Sequence, residues 1–222
     1  MTTVLWDGKV LAADSRNVKH DKAYRDTMLK LYSFSEQGLV FKGHTVLAIA
    51  IAGGCPQAQR AVDTFCKHPD TIVAYYREIY ESAMHSTASF ALLIVTDGPT
   101  YQLDVGRSRA KIPVELQEIT TLPHAMGSGG TIAHFLSAQY HVPAHLAVAG
   151  AVMGDRFSGG FIYAIGIKKG KVVTQERHWY PDAAEIRNEI AKAMRVPRQS
   201  KKQLIDDPHF VQITLPSEKE HP

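Results

Sequence analysis

Residues 2–16 read TTVLWDGKVLAADSR, and this stretch decides the fold. Two short apolar runs flank the dipeptide Asp7-Gly8, which favours a two-residue type I′ turn and therefore a β-hairpin. Neighbouring apolar residues such as Val4 and Leu5 place side chains on both faces of the strands. A sheet that is apolar on both faces has to be covered on both sides. The opening residues therefore predict a layered fold built around a sheet.

The rest of the chain continues in blocks of strands and helices. Hydrophobic periodicity predicts further strands and, between and after them, two adjacent pairs of helices and a final helix. This order predicts an α+β fold in which two mainly antiparallel sheets lie between two helical layers. The strands are expected at 28–34, 39–41, 45–51, 90–96, 101–105, 160–167 and 171–175, and the helices from about Pro56, at 71–84, 128–140 and 143–153, and after Pro181.

The bulk properties indicate one globular domain without a nucleic-acid or membrane partner. The chain has 222 residues, of which 45% are hydrophobic and 21% charged, and its formal net charge is +3. We assign the folded domain to residues 1–194, and the polar composition of residues 195–222 predicts an exposed C-terminal extension. Lys and Arg are scattered rather than clustered. No apolar run reaches the length of a membrane span and no leader precedes the first strand, so we expect a cytoplasmic protein.

Thr2 is the first candidate for chemistry. Initiator methionine is normally removed before a small residue, so Thr2 is expected to become the N-terminus. It would then carry a hydroxyl and a free α-amine, whose pKa of roughly 7.7 to 8.0 lets it act as a base near neutral pH. Thr activated by its own amine is a known type of nucleophile. Many chains begin Met-Thr, so this feature gains weight only from the residues that accompany it.

Asp14 and Lys30 are charged residues in apolar strands. Either residue alone could lie at the rim of a sheet with its charge in water. Together they predict a buried ion pair, because a buried charge is costly unless it is paired. Beside Thr2, the positive charge of Lys30 would favour the deprotonated amine and stabilise a developing alkoxide, while Asp14 would hold Lys30 charged and oriented.

Two glycine-rich turns and one acidic turn complete the candidate set. The motif AGG at residues 52–54 joins an apolar strand to a helix, where a backbone N–H could bind an oxyanion or the chain could simply turn tightly. The motif GSGG at residues 127–130 opens another helix, and Ser128 is either its N-cap or a hydroxyl beside a site. Asp155 and Ser158 follow a helix in a stretch whose local sequence predicts an Asx-type turn.

Taken together and in order, these segments resemble the proteasome β-subunit family and its bacterial relative, the peptidase subunit HslV, which are N-terminal-nucleophile threonine hydrolases. The resemblance covers roughly residues 2–194 and fits a bacterial or phage-type proteasome homologue. No propeptide is visible, as in HslV, and the first hairpin is shorter than is usual in the family. The motifs that carry the resemblance are Thr2-Thr3, DSR at 14–16, Lys30, AGG at 52–54, GSG at 127–129, Asp155 and SGG at 158–160.

The resemblance implies a four-layer αββα sandwich of the Ntn-hydrolase type and the cleavage of peptide bonds through an acyl-enzyme on Thr2. Lys30 and Asp14 would tune Thr2, and the Gly53 N–H would form the oxyanion hole. Three further side chains would orient the Thr2 amine: Ser128, Asp155 and Ser158.

The resemblance also implies a substrate pocket and partners. The family assembles stacked rings that are usually fed by a separate AAA+ ATP-driven unfoldase. The implied partners are therefore further copies of this chain, possibly such an unfoldase, and polypeptide substrates, with no cofactor. The substrate side chain would lie in a pocket whose composition indicates medium-sized apolar substrates: Asn17, Met28, Tyr32, Ile51 and Cys55.

Two other functions stay open from the sequence. The chain could be a ring or docking subunit with the same fold and little or no turnover, although the intact Thr2, Asp14 and Lys30 argue against it. It could also be a stand-alone amidase that acts on a small amide. A metal hydrolase is not indicated, because the histidines are scattered and no clustered Cys/His ligand set is present.

Overall fold

The computed structural model describes residues 2–18, 24–26, 28–53, 55–82, 89–106 and 114–194. The predicted extension at 195–222 lies outside the described residues. The strands in the described part are β1 (Thr3–Trp6), β2 (Val10–Asp14), β3 (Asn17–Val18), β4 (Tyr24–Arg25), β5 (Leu31–Ser33), β6 (Val40–Phe41), β7 (His44–Gly53), β8 (Phe90–Thr96), β9 (Thr100–Val105), β10 (Val114–Ile119), β11 (His124–Gly127), β12 (Ile162–Lys168) and β13 (Lys171–His178). The helices are α1 (Cys55–Lys67), α2 (Ile72–Ser82), α3 (Gly130–Tyr140), α4 (Ala144–Gly154) and α5 (Ala183–Ala193).

Two main sheets form the centre of the molecule. The first has the strand order β11-β1-β2-β12-β13, and the second has the order β10-β9-β8-β7-β5, with β6 paired to β7. All of these strand pairs are antiparallel. The candidate residues at the start of β1 and at the end of β2 are thereby fixed on the inner strands of the first sheet.

The side chains of β1 explain why this sheet is covered on both sides. Val4 and Trp6 pack between the two sheets, whereas Leu5 points to the opposite face, against α3, α4 and α5. The second sheet is covered by α1 and α2. The four layers are therefore helix, sheet, sheet, helix, and the predicted α+β sandwich is confirmed.

Strand β7 shows how the layers carry the site. Its small side chains, such as Ala50 and Ala52, face the other sheet, and larger ones, such as Ile49 and Ile51, face α1 and α2. Each fully buried Ile contributes about 1.5–3 kcal/mol relative to an exposed one. This burial holds the strand in register as far as Gly53, where it ends beside the other sheet.

The first hairpin does not have the predicted two-residue type I′ turn. Trp6 pairs with Leu11, and the Asp7 N–H donates to the Val10 carbonyl at 3.3 Å. The Asp7 carboxylate accepts the N–H groups of Lys9 and Val10 at 2.8 and 2.7 Å, which closes an Asx-type turn. Gly8 has a positive φ but Asp7 does not, whereas a type I′ turn at Asp7-Gly8 requires a positive φ at both residues.

Several strands were missing from the prediction or were shorter than expected. The segment 106–127 contains β10 and β11, and β3 and β4 form a separate small ladder. β10 alternates weakly, and β11 has four residues that begin with His and end with Gly, so neither shows a clear strand pattern. The strand expected at 28–34 is shorter, at Leu31–Ser33, although the backbones of Lys30 and Phe34 also bond to β7; Met28 bonds to Ser15 instead. Among the described residues, no helix is long and apolar enough to cross a membrane.

Candidate active site

Thr2 lies at the start of the first strand and is fully buried. Its side-chain oxygen Oγ1 has no hydrogen-bond partner in the described part of the chain. An unsatisfied buried hydroxyl costs about 1–3 kcal/mol, so such a group in a folded protein calls for an explanation. The neighbouring strand β11 approaches closely, since a Cβ at Gly127 would overlap the Thr2 carbonyl oxygen. The Thr2 backbone is thus tightly packed, while its hydroxyl makes no hydrogen bond to any residue that the structure describes.

The predicted ion pair between Asp14 and Lys30 is present and fully buried. Lys30 Nζ donates to Asp14 Oδ1 at 2.9 Å, and both side chains have no exposed surface. Lys30 Nζ also donates to the backbone carbonyl of Arg16 at 2.5 Å. A charge in a site without water acts more strongly on its neighbours than one in solvent.

Backbone N–H groups complete the hydrogen bonding of the Asp14 carboxylate. Oδ1 accepts the N–H of Thr3 at 2.8 Å as well as Lys30 Nζ. Oδ2 accepts the N–H groups of Gly159 at 2.9 Å and of Arg16 at 3.2 Å. Because one oxygen bonds both Lys30 and the backbone of residue 3, the ammonium group is fixed next to the start of β1.

A second hydrogen-bond network, formed by Ser128, Asp155 and Ser158, also reaches Thr3. The Asp155 carboxylate accepts the hydroxyls of Ser128 at 2.5 Å and Ser158 at 2.7 Å. Ser158 Oγ in turn shares a 2.5 Å hydrogen bond with Thr3 Oγ1. Ser128 therefore does not cap α3, whose N-cap is Gly129. Of the two possibilities that the sequence left open for Ser128, the N-cap is thereby excluded, and the hydroxyl beside a site stays a prediction.

Thr3 is the residue that sequence reasoning missed. Its N–H belongs to the Asp14 network and its hydroxyl to the Asp155 network, so both networks converge on it. In the structure these side chains bond to Thr3 and to each other, and the predicted bonds around the Thr2 amine remain a prediction. The duplicated Thr at the start of the chain was the only sequence signal for this role.

Gly53 lines a cavity with a volume of about 490 Å³. The lining comes from the end of β7, the start of β8, and parts of β9, β10 and β11. It includes Gly127, which pairs with Thr3 at the start of β1. Gly53 also pairs with Phe90 at the end of the β7–β8 ladder. Gly54 lies outside the described residues.

Part of the lining of this cavity is polar. His124 Nε2 and Gln102 Oε1 are 2.5 Å apart, and Gln102 donates to Asp104 at 2.6 Å. Burial raises the pKa of the Asp104 carboxyl, although the hydrogen bond from Gln102 acts in the opposite direction. Burial also lowers the pKa of His124, and the nearby His134 lowers it further.

The residues predicted to line a substrate pocket are only partly brought together. Met28 and Tyr32 are half-buried and pack against the apolar cluster that contains Ile51. Asn17 is half-buried on β3. The side chain of Cys55 lies outside the described part of the chain. Ile51 is fully buried against α1 and α2, so its predicted place in a pocket wall is wrong. The 490 Å³ cavity is lined by other residues.

The arrangement suits acid–base chemistry on a hydroxyl. The Asp14 carboxylate fixes the buried Lys30 ammonium group, and the hydroxyl of Ser158 donates to the Asp155 carboxylate. Thr3 bonds to both Asp14 and Ser158. Within the described ranges, no group of three or more His, Cys, Asp or Glu side chains is placed to hold a metal ion.

Comparisons with known proteins give a distant structural match. No protein-family model and no curated protein matches the sequence. Among solved structures, the crystal structure of eukaryotic HslV from Trypanosoma brucei is similar at 15% identity and a TM-score of 0.45, over 73% of this chain and 96% of that chain. A likeness at this distance does not establish membership of a family.

Proposed function

We propose that this chain is a threonine peptidase in which Thr2, made N-terminal by removal of Met1, attacks the substrate carbonyl. One observation carries the proposal: the Thr2 hydroxyl is fully buried and has no hydrogen-bond partner among the described residues. It directly precedes Thr3, on which the two charged networks converge. In this proposal, the unsatisfied hydroxyl of Thr2, one residue from the Thr3 N–H that bonds Asp14, is the nucleophile.

The proposed reaction uses the amine of Thr2 as the base. The amine takes the proton of Oγ1 while Oγ1 forms a bond to the carbonyl carbon, whose oxygen becomes negatively charged. The C–N bond of the substrate then breaks, and the Thr2 amine passes the proton to the departing amine of the substrate. An ester remains on Thr2 Oγ1. Water then gives a proton to the Thr2 amine and attacks the ester carbonyl, and the Thr2 amine returns this proton to Oγ1 when the carboxylic acid leaves.

Lys30 and Asp14 tune this step through charge. A positive charge near the amine disfavours its protonated form, so the amine is available as a base at neutral pH. The same charge stabilises oxygen that becomes negative during attack. Asp14 keeps Lys30 charged in a position without water, because the pair is neutral as a whole.

Four further residues serve orientation and charge stabilisation. In the proposal, Ser128, Asp155 and Ser158 orient the Thr2 amine once Met1 is removed. The Gly53 N–H donates to the oxyanion, and the location of Gly53 on the wall of the 490 Å³ cavity supports this role. A cavity of this size lies within the range of roughly 300–1,000 Å³ that holds small-molecule ligands and substrate side chains.

Polypeptide substrates and ring assembly are part of the same proposal. Their support is the ordered set of segments that resembles proteasome β-subunits and HslV. In this proposal, copies of the chain form stacked rings in the cytoplasm that enclose the sites, and an AAA+ unfoldase supplies unfolded chains. Met28 and Tyr32, which are half-buried, accept medium-sized apolar side chains of the substrate, whereas Ile51 is fully buried against α1 and α2 and does not contact the substrate.

Intact-mass measurement before and after treatment with a peptide epoxyketone tests the nucleophile. We expect a mass that lacks Met1 and a single adduct on the wild-type protein. Thr2→Ala should carry no adduct, because the attacking hydroxyl is gone. The matched control is Thr174→Ala, which removes an exposed threonine hydroxyl from β13 and should be labelled like wild type. An adduct on Thr2→Ala, or labelled protein that retains Met1, would exclude the mechanism.

Native mass and peptide turnover distinguish the other functions. A ring peptidase should have the mass of many subunits and hydrolyse fluorogenic peptides. A monomer or dimer that hydrolyses only small amides would favour the amidase. A ring that neither hydrolyses peptides nor forms an adduct would favour a docking subunit.

A further inference from the structure

A cluster of five residues outside the proposed catalytic set joins three segments beside the ion pair. We call this cluster the clasp, and its members are Ser15, Arg16, Asp26, Gly159 and Gly160. Its central contact is bidentate: Arg16 Nε donates to Asp26 Oδ1 at 2.8 Å and Arg16 Nη2 donates to Asp26 Oδ2 at 3.1 Å. A bidentate pair fixes direction as well as distance, because two parallel hydrogen bonds hold both planar groups.

Ser15 connects the same segments through its hydroxyl and backbone. Ser15 Oγ donates to the carbonyl oxygen of Asp26 at 2.7 Å and accepts the N–H of Phe161 at 2.8 Å. Its backbone N–H donates to the Gly159 carbonyl at 3.1 Å, and its carbonyl accepts the N–H of Met28 at 3.0 Å. The end of β2, the segment before Lys30 and the turn at 158–161 are therefore tied at one point.

The two glycines let the clasp close. A Cβ at Gly159 would overlap the Arg16 guanidinium group, and a Cβ at Gly160 would lie 2.7 Å from Asp26 Cβ and overlap Ser15 Oγ. The Arg16 side chain thus packs directly against the backbone of the turn. No larger residue fits at either position without moving the pair.

Three backbone atoms of the clasp hold the buried ion pair. The carbonyl oxygen of Arg16 accepts Lys30 Nζ at 2.5 Å, and the N–H groups of Gly159 and Arg16 donate to Asp14 Oδ2 at 2.9 and 3.2 Å. The clasp therefore supplies one partner to the Lys30 ammonium group and two to the Asp14 carboxylate. A shift of the Arg16 backbone would displace the ammonium group, and a shift of the turn would remove one of the two hydrogen bonds to Asp14 Oδ2.

We propose that Arg16 and Asp26 are positioning residues, whose side-chain pair holds the backbone atoms that orient Lys30 and Asp14 toward Thr2. The inference rests on the proposed function of Thr2 and adds Asp26 to the residues on which that function depends. Neither residue touches the substrate in this scheme. Their contribution is geometric, and a misplacement of about 1 Å at a site of this kind can reduce the rate by about a hundredfold.

The test compares four variants with a fluorogenic peptide and with the epoxyketone. We expect Asp26→Ala and Arg16→Ala to lower kcat about tenfold with KM changed less than about twofold, because the site is displaced but the cavity is intact. Arg16→Lys, which keeps the charge but loses the bidentate geometry, should fall between them and wild type. The double variant should be no slower than either single one, because both break the same contact.

The pH profile separates positioning from a general loss of stability. With Lys30 displaced, the Thr2 amine is protonated more easily, so the acidic limb of the kcat profile of Asp26→Ala should move to higher pH. The control is Glu189→Ala, which breaks an exposed ion pair with Lys192 on α5 and should leave kcat and its profile unchanged. A wild-type kcat and profile in Asp26→Ala would overturn the inference.

Modification of lysine provides a readout that does not depend on activity. Lys30 is fully buried in the wild-type protein, so an amine-acylating reagent should leave it unmodified. In Asp26→Ala, and in Asp26→Asn if the Ala variant does not fold, we expect modification of Lys30 at least about threefold above wild type. If the epoxyketone does not label Thr2 in wild type but Lys30 becomes reactive in the Asp26 variants, the proposed function fails and the role of the clasp stands. If wild type is labelled and Lys30 stays protected in both variants, the clasp fails alone.

Discussion

The two networks that meet at Thr3 have similar hydrogen-bond lengths but very different access to water. The ionic half, Asp14 and Lys30, is sealed from solvent, with a 2.9 Å contact and no exposed side-chain surface. The hydroxyl half, Ser128, Asp155 and Ser158, reaches the surface at Ser128, which is exposed. Distance alone therefore does not rank these contacts. Burial decides how much of the electrostatic interaction is retained and what its removal costs.

The sharpest way to test this difference is to remove Lys30. Lys30→Met should destabilise the protein by about 3–5 kcal/mol, because the Asp14 carboxylate is left buried without a cation. Peptide hydrolysis should fall below detection. Urea unfolding gives the first value and fluorogenic peptide turnover gives the second.

A control and a double variant complete this test. Lys192→Ala removes a shorter ion pair, with 2.6 Å to Glu189, but Lys192 is 72% exposed, so we expect a change below about 0.5 kcal/mol. Adding Asp14→Asn to Lys30→Met should recover part of the stability and none of the activity, because the uncompensated charge is removed while the catalytic cation is still absent. Equal costs for Lys30→Met and Lys192→Ala would contradict the role assigned to burial.

Removal of the charge from the hydroxyl half should affect activity more than stability. Asp155→Asn keeps the shape of the side chain, but it removes the charge that orients two hydroxyl donors. We expect a loss of about 1 kcal/mol in the free energy of unfolding, since water can replace part of the network. Turnover should fall about a hundredfold, which is the scale of a misplaced proton-transfer group.

The matched control for Asp155→Asn is Asp63→Asn on the exposed face of α1. It should match wild type in both urea midpoint and turnover. Asp63 is on α1, which covers the second sheet, whereas Thr3 is in the first sheet. If Asp155→Asn lost as much stability as Lys30→Met, the two halves would not differ in the way that their exposure indicates.

The same contrast explains what could be predicted from the sequence. A lone Asp14 and a lone Lys30 in apolar strands are detectable because burial of a charge is costly, and their predicted pairing is found. The consecutive apolar residues of the first hairpin, such as Val4 and Leu5, likewise predicted a sheet covered on both sides. Both signals can be read from a residue and its neighbours in the sequence.

The parts that escaped prediction depend on partners distant in sequence. β11 has no strand pattern of its own, and it forms because Gly127 can approach Thr2 so closely. Asp26 lies in a segment without regular periodicity, and its contact with Arg16 exists only because Gly160 brings the turn at 158–161 beside it. No local sequence rule reports such packing, since each residue taken alone is an ordinary surface charge or a turn glycine.

The smallest expected effect concerns Asp26, at the rim of the ionic half. The hydrogen bond and charge of Arg16 hold the pKa of Asp26 below its ordinary value, against the opposing effect of burial. A carboxyl whose pKa is lower in the folded state stabilises the fold at pH values above its unfolded pKa of about 3.9, and this stabilisation is lost as the pH falls through the folded value. The free energy of unfolding of wild type should therefore exceed that of Asp26→Asn at pH 6 and approach it near pH 3.

The magnitude of that difference follows from exposure. The Arg16 and Asp26 side chains are 25% and 34% exposed, so solvent screens the pair and the difference should be a few tenths of a kcal/mol to about 1 kcal/mol. Urea midpoints at the two pH values measure it, and Glu189→Gln, at the exposed pair on α5, should show a smaller change. A wild-type advantage that stays constant from pH 6 to pH 3 would mean that packing rather than charge holds the clasp. In that case the rim of the ionic half would behave like its sealed interior, and exposure would no longer separate the two.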